Sequence, residues 1–173
     1  MRTQQYHIYT DASFSRIENL GVAGFLIFDG KTSEPAIRTY TYKETNNIRA
    51  EIVGAIWALQ TFIEDCKKEN QNADELEINL YSDCQTITNL LTRRKKLEAT
   101  DFISARKKSR LANADLYKTF FLIYDELQPK IHWVKGHSKK ESQTLIQKNF
   151  ALVDKQVRKK LRAILTKGSR DEI

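Results

Sequence analysis

Four carboxylates occupy similar settings at distant positions of the chain. They are Asp11, Glu51, Asp83 and Asp154. Two of them follow short apolar runs, at residues 6–10 and 77–81. Two carboxylates within about 4 Å of each other repel by roughly 4 kcal/mol at an effective dielectric near 20, so a shared site needs compensation. Divalent cations would provide it, and a set of hard oxygen ligands without a cysteine and histidine cluster favours Mg²⁺ or Mn²⁺ over zinc.

Each acid also has an ordinary structural interpretation. Asp83 before a predicted helix could be an N-cap. Glu51, near the start of a helix, could simply favour its positive end. Asp154 could pair with Arg158, four residues later. Asp11 is harder to explain in this way, because an aspartate that ends an apolar strand gains little there without a partner. The joint occurrence of all four favours a functional site.

The apolar pattern predicts the elements that would position these acids. We expect strands at about residues 6–11, 21–28, 36–43, 76–81 and 131–135. We expect helices from Asn47 to about Cys66, from about Asp83 for a short stretch, from about Asn113 to Pro129, and from about 150 to 164. After Thr92 a basic segment interrupts the pattern. This order predicts an α/β fold with a five-stranded mixed sheet, its first three strands antiparallel, covered by helices on both sides.

Size and charge restrict the function further. The 173 residues suffice for one domain, for which we expect a basic insertion at about 93–112 and a flexible tail at about 167–173. A net charge of +7, concentrated in the basic segment, could reflect only a solvated loop. Beside clustered acids, a phosphate polymer is the better prediction for its partner. Without a bilayer-spanning apolar run or a signal-peptide core, we expect a cytoplasmic monomer with two reduced cysteines and no membrane partner.

Five short motifs lie on the predicted elements. They are Tyr9-Thr-Asp-Ala-Ser13, Ile48-Arg-Ala-Glu51, Tyr81-Ser-Asp-Cys-Gln85, Trp133-Val-Lys-Gly-His137 and Asn149-Phe-Ala-Leu-Val-Asp154. In this order, they resemble the ribonuclease H type I family over almost the whole chain. The resemblance implies an RNase H-like fold and a metal-dependent endonuclease that hydrolyses the RNA strand of RNA/DNA hybrids and leaves 5′-phosphate ends.

The resemblance also implies a role for each acid. The four carboxylates match the family's catalytic set, which holds two Mg²⁺ ions, and Mn²⁺ is expected to substitute. Asp11 would contact both ions, Asp154 would help hold the ion that activates water, and Glu51 and Asp83 would serve the ion that stabilises the leaving oxygen. His137 matches the mobile histidine of the family, an auxiliary group for proton transfer or product release.

Further residues match the family's substrate contacts. Polar side chains can read the 2′-hydroxyl that distinguishes RNA from DNA, and the resemblance assigns strand contacts to Thr45, Asn46, Asn47 and Gln85. Because Ile48 is an extra residue before Arg49, which asparagine takes which role stays open, and either could also cap the helix. The basic protrusion of bacterial members corresponds to a segment that begins with Arg93, Arg94, Lys95 and Lys96 and would bind the backbone without sequence preference.

The chain departs from the family pattern at three places. Ala12 stands where the family usually has glycine, so the turn after the first acid should adopt a different conformation, in which Asn19 could take the place of the family's turn asparagine. The loop after His137 is long, and Phe150 stands where glutamate is common. Three other functions remain open: a DNA-directed nuclease or resolvase, a domain derived from a reverse transcriptase, and a non-catalytic nucleic-acid-binding module.

Overall fold

The computed structural model describes residues 4–31, 35–43, 46–136 and 143–168. Its strands are β1 (Gln5–Ser15), β2 (Leu20–Phe28), β3 (Ile37–Lys43), β4 (Glu77–Ser82) and β5 (Lys130–Trp133). Its α-helices are α1 (Asn47–Lys68), α2 (Gln85–Thr88), α3 (Leu90–Ala99), α4 (Ala114–Leu127) and α5 (Leu145–Gly168), and a 3-10 turn at Ala73–Glu75 precedes β4.

The strands form one mixed sheet in the order β3-β2-β1-β4-β5. β1 pairs antiparallel with β2, and β2 pairs antiparallel with β3. On its other side β1 pairs in parallel with β4, which pairs in parallel with β5. The predicted five-stranded mixed sheet with three antiparallel strands at its start is therefore confirmed.

Alternate side chains of the strands reach opposite faces of this sheet. On β1, Tyr6 and Ile8 belong to an apolar cluster that includes residues of α1 and α4, whereas Tyr9 belongs to a second cluster with residues of α5. Burying one large apolar side chain stabilises the fold by about 1.5–3 kcal/mol, so both layers contribute substantially. The prediction of helices on both sides is also confirmed.

The first hairpin differs from the sequence prediction. β1 continues to Ser15, where it pairs with Leu20, so the connecting turn is short. Asn19 closes that turn with φ of 48°, a left-handed conformation that asparagine tolerates better than most residues. Asp11 consequently lies within the strand, opposite Gly24, and the expectation that the strand ends at Asp11 was wrong.

The basic segment also differs from the prediction. Helix α3 extends without a break from Leu90 to Ala99, so the expected interruption after Thr92 was wrong. Leu90 and Leu97 are its buried residues, and they stand seven positions apart, two helical turns, on one face. The many charges between them concealed this narrow apolar stripe. Among the described helices, none is long and apolar enough to cross a bilayer.

Candidate metal centre and active site

Three of the four predicted acids converge where the carboxyl end of β4 lies beside the middle of β1. Asp11, Glu51 and Asp83 each present a carboxylate oxygen, and these atoms all lie within 4.8 Å of one another. The parallel pairing of β1 with β4 explains part of this, because Tyr9 pairs with Tyr81 and the two aspartates each follow two residues later. The parallel pairing of β1 with β4 therefore places Asp11 and Asp83 close together.

Helix α1 supplies the third acid of this group. The Asn46 side chain caps the helix and accepts a hydrogen bond of 2.9 Å from the backbone N–H of Arg49, which fixes where the first turn begins. About two turns later, Gly54 lies so close to β1 that a Cβ there would be 3.2 Å from Oγ1 of Thr10. This close approach of α1 to the strand brings Glu51 beside Asp11.

Asp154 of α5 lies next to the group without joining it as closely. A side-chain hydrogen bond with Asp154 is among the causes that raise the pKa of Asp11, so the two side chains lie close together. Nε of Arg158 lies 2.7 Å from Oδ1 of Asp154, so the ion pair expected as the structural alternative is present as well. Asp154 therefore contacts both the acid cluster and a cation of its own helix.

Burial and mutual repulsion perturb the clustered acids. The pKa of Asp11 is raised from 3.8 to about 8, first by burial and then by the charges of Asp83 and Asp154. Burial, followed by the charge of Asp11 and that of Asp83, raises the pKa of Glu51 well above its usual value. Oε2 of Glu51 is buried and has no hydrogen-bond partner among the described residues. Such a set of oxygen donors fits a divalent cation, which would replace bound protons and satisfy the orphaned oxygen.

The last residue of β5 and the segment that follows it contact Asp83. Trp133 is 52% exposed, and its Nε1 donates a hydrogen bond of 3.2 Å to the backbone carbonyl of Asp83. A Cβ on Gly136 would lie 3.0 Å from Oδ2 of Asp83. The sequence placed both residues in the motif before His137, but nothing in it indicated these contacts. His137 itself lies outside the described residues.

An aromatic row underlies the acids. The ring of Tyr81 stacks between those of Tyr9 and His132, with centroid distances of 4.8 Å on each side. His132 also shares a hydrogen bond of 2.9 Å with Oδ1 of Asn79. Tyr9 stands two residues before Asp11, and Tyr81 stands two residues before Asp83. This aromatic row therefore supports the backbone that carries both acids. Sequence reasoning missed it, since it depends on the strand register.

The predicted substrate-contacting residues lie around this centre. Gln85 begins α2, two residues after Asp83, and is exposed. Asn47 is exposed at the first turn of α1, and Asn46 is its cap, as one interpretation of the sequence allowed. Thr45 lies outside the described residues.

The four basic residues of α3 divide into two groups. Arg93, Lys95 and Lys96 are exposed and have no acid partner in the described part of the chain. Arg94 instead binds Asp125 of α4, with Nη2 2.7 Å from Oδ2, and also pairs with Glu98 of its own helix. Its guanidinium lies 4.8 Å from the ring centroid of buried Phe121. Arg94 thus joins two helices.

Comparison with known proteins agrees with this geometry. The family model for RNase H matches residues 3–162. Among curated relatives, Ribonuclease H of Chlorobium phaeobacteroides is 32% identical over 133 residues, covering 76% of this chain and 82% of that protein. Ribonuclease H of Desulforamulus reducens is 28% identical over 136 residues, covering 76% of each chain. Ribonuclease HI of Synechocystis is 29% identical over 135 residues, again covering 76% of each.

A solved structure shows the same fold at much lower identity. It is described as a foamy viral protease-reverse transcriptase in complex with dsDNA, and it aligns with a TM-score of 0.58 at 12% identity, covering 85% of this chain and 90% of that chain. The family match spans nearly the whole sequence and includes all four acids. The chain therefore belongs to the RNase H family, and it is a ribonuclease H enzyme.

Proposed function

We propose that this protein is an endonuclease that hydrolyses the RNA strand of RNA/DNA hybrids and leaves 5′-phosphate ends, with Mg²⁺ or Mn²⁺ bound at the acid cluster. The observation that carries the proposal is the convergence of Asp11, Glu51 and Asp83 within 4.8 Å in a member of the RNase H family. Asp154 completes the proposed catalytic set through its contact with Asp11.

The acids have a common task in this proposal, which is to hold cations against the phosphodiester. When bound, two divalent ions would supply an activated water molecule and would stabilise the charge on the leaving oxygen. Asp11 and Glu51 are the most deeply buried of the set, so their protons must leave before they can act as ligands. Trp133 binds the backbone carbonyl of Asp83. Gly136 lies close to the Asp83 carboxylate and limits the positions it can adopt.

The surrounding residues are proposed to bind the hybrid. Asn46, Asn47 and Gln85, together with Thr45, would contact the strands near the scissile linkage, and the exposed cations of α3 would bind the backbone farther away. His137 would assist proton transfer or product release. The basic insertion at 93–112, the tail at 167–173, the monomeric state and the cytoplasmic location stay predictions.

One substrate panel tests the proposed activity. Labelled RNA/DNA hybrid, duplex RNA, duplex DNA and a four-way junction are each incubated with Mg²⁺, Mn²⁺ or a chelator. Cleavage restricted to the RNA strand of the hybrid, and dependent on metal, is expected. Cleavage of DNA or of the junction would instead identify a DNA-directed nuclease or resolvase, and metal-replete protein that cuts nothing would identify a binding module.

The Asp11→Asn variant tests the site. Loss of one anionic ligand should remove at least about 3 kcal/mol of transition-state stabilisation, a rate loss of roughly 150-fold, while hybrid binding persists. Glu64→Gln is the matched control, because Glu64 is an exposed acid near the far end of α1. Equal kcat/KM for Asp11→Asn and Glu64→Gln would refute the assignment. Calorimetric titration with Mg²⁺ measures the number of ions bound.

A further inference from the structure

A cleft of about 390 Å³ lies beside the acid cluster, where the end of β1 and the start of α1 face α5. Its polar lining consists of Ser13, Asn47, Arg158 and Arg162, and Phe14 and Leu161 contribute apolar surface. Ser13 follows Asp11 by two residues on the same strand. The cleft thus adjoins the strand that carries Asp11, although none of the four acids lines it.

Charge distinguishes this cleft from an ordinary helix surface. Arg158 and Arg162 are four residues apart, so they project from one face of α5 about 6 Å apart along the helix axis. Arg158 pairs with Asp154 and links the cleft to the acid cluster. Arg162 is exposed, and within residues 4–31, 35–43, 46–136 and 143–168 no acid pairs with it. An unpaired guanidinium facing a polar cleft is suited to a phosphate.

We propose that this cleft binds a phosphate of the hybrid's backbone near the linkage that is cut, with Arg162 as the principal contact. Arg162 follows Asp154 by eight residues, about 12 Å along the axis of α5. A strand whose scissile phosphate lies at the acids would therefore place a different phosphate of the same backbone, a short distance along the strand, at Arg162. The Ser13 hydroxyl and the Asn47 amide supply donors, and the partly exposed Phe14 can contact a sugar of the same strand.

This inference rests on the proposed function, because it takes the scissile phosphate to lie at the acids. The alternative is that Arg162 is one of several solvated cations of α5. Lys160 provides a matched comparison. It is exposed on the same helix but lies about 200° around the axis from Arg162, away from the cleft.

The test measures hybrid binding by fluorescence anisotropy in chelator, where no cleavage occurs, over a range of salt concentrations. The proteins are the wild type, Arg162→Ala, Arg162→Gln and Lys160→Ala, each checked for cooperative thermal unfolding. We expect both Arg162 variants to bind several-fold more weakly, with a salt slope reduced by about 1, and Lys160→Ala to change both quantities less. Equal effects of the Arg162 and Lys160 substitutions, or none at all, would overturn the proposal.

A second measurement locates the phosphate. Single uncharged methylphosphonate linkages are placed at successive positions around the cleavage site, with deoxyribose on the 5′ side of each. We expect one linkage, near the cleaved position, to weaken binding of the wild type but not of Arg162→Ala. If the modified linkage weakens binding of both proteins equally, whatever its position, the proposed subsite is wrong. Cleavage of unmodified hybrid by the wild type with Mg²⁺ is scored separately. Absence of this cleavage would count against the proposed function. If the wild type cleaves the hybrid but the Arg162 substitutions do not change hybrid binding, only the proposed phosphate subsite is wrong.

Discussion

The α-carbon of Gly136 approaches Asp83 so closely that a methyl group on it would lie 3.0 Å from Oδ2 of that acid. Gly136→Ala should therefore displace the Asp83 carboxylate from Asp11 and Glu51. We expect roughly tenfold lower kcat/KM and weaker Mg²⁺ binding by calorimetry, which corresponds to about 1.4 kcal/mol of lost stabilisation. The melting temperature in chelator should stay close to that of the wild type. Unchanged Mg²⁺ affinity together with full activity would show that Asp83 tolerates the added methyl group.

The raised pKa of Asp11 predicts how stability depends on pH without metal. This pKa is about 8 in the folded protein, against 3.8 for an ordinary aspartate, chiefly because of burial and then the nearby Asp83 charge. The folded state holds a proton that the unfolded chain releases near pH 4, so this group's stabilising contribution is complete below about pH 4 and is lost as pH rises towards 8. Asp11→Asn removes this group's contribution to the pH dependence.

Chemical denaturation of both proteins in chelator, from about pH 5 to 8.5, measures this effect. The free energy of unfolding of the wild type should fall relative to that of Asp11→Asn as pH increases. Because bound metal displaces the proton, Mg²⁺ should stabilise the wild type more at pH 8 than at pH 6. A wild type that gains stability over the variant across this range would contradict the assigned direction.

Adjacent arginines of α3 should respond differently to substitution. Arg93 is exposed and unpaired among the described residues, so Arg93→Ala should weaken hybrid binding a few-fold and reduce its salt slope without lowering the melting temperature. Arg94 binds Asp125 and Glu98 and covers Phe121, so Arg94→Ala should lower the melting temperature more than it lowers affinity. Fluorescence anisotropy and thermal unfolding of both variants measure hybrid affinity and melting temperature. Equal changes in these two quantities for Arg93→Ala and Arg94→Ala would contradict the prediction.

Trp133 should report on the occupancy of the acid cluster. Its half-exposed indole donates to the backbone of Asp83, whereas Trp57 packs against Phe25 with ring centroids 4.6 Å apart. In a Trp57→Phe variant, the fluorescence of Trp133 should change on addition of Mg²⁺ and again with hybrid. The control is the same titration on a variant that combines Trp57→Phe with Asp83→Asn. An equal response of the two proteins would show that the fluorescence change does not come from metal binding at the acid cluster.

Local pattern predicted most of the elements, because alternation and helical periodicity follow directly from which side chains are buried. The acids were located by motifs, and the contact between Asp154 and Arg158 was foreseeable from its four-residue spacing. The partner of Arg94 was not, because Asp125 lies on another helix.

Contacts that depend on tertiary structure were the ones that sequence reasoning missed. The stacking of Tyr81 between Tyr9 and His132 requires the strand register, which no short segment encodes. The proximity of Gly136 to Asp83 requires the path of the chain after β5. The position of Asp11 inside its strand depended on pairing with β2, and the apolar run alone suggested an earlier end.

The parallel pairing of β1 with β4 joins segments about seventy residues apart, and helix α5 lies farther along still. Because each ligand comes from a different part of the polypeptide, a proteolytic cut between α3 and α4 would leave two fragments that are separately inert. Complementation between such halves would restore turnover only once the sheet had re-formed. Nuclease turnover can therefore serve as a quantitative reporter of complete folding.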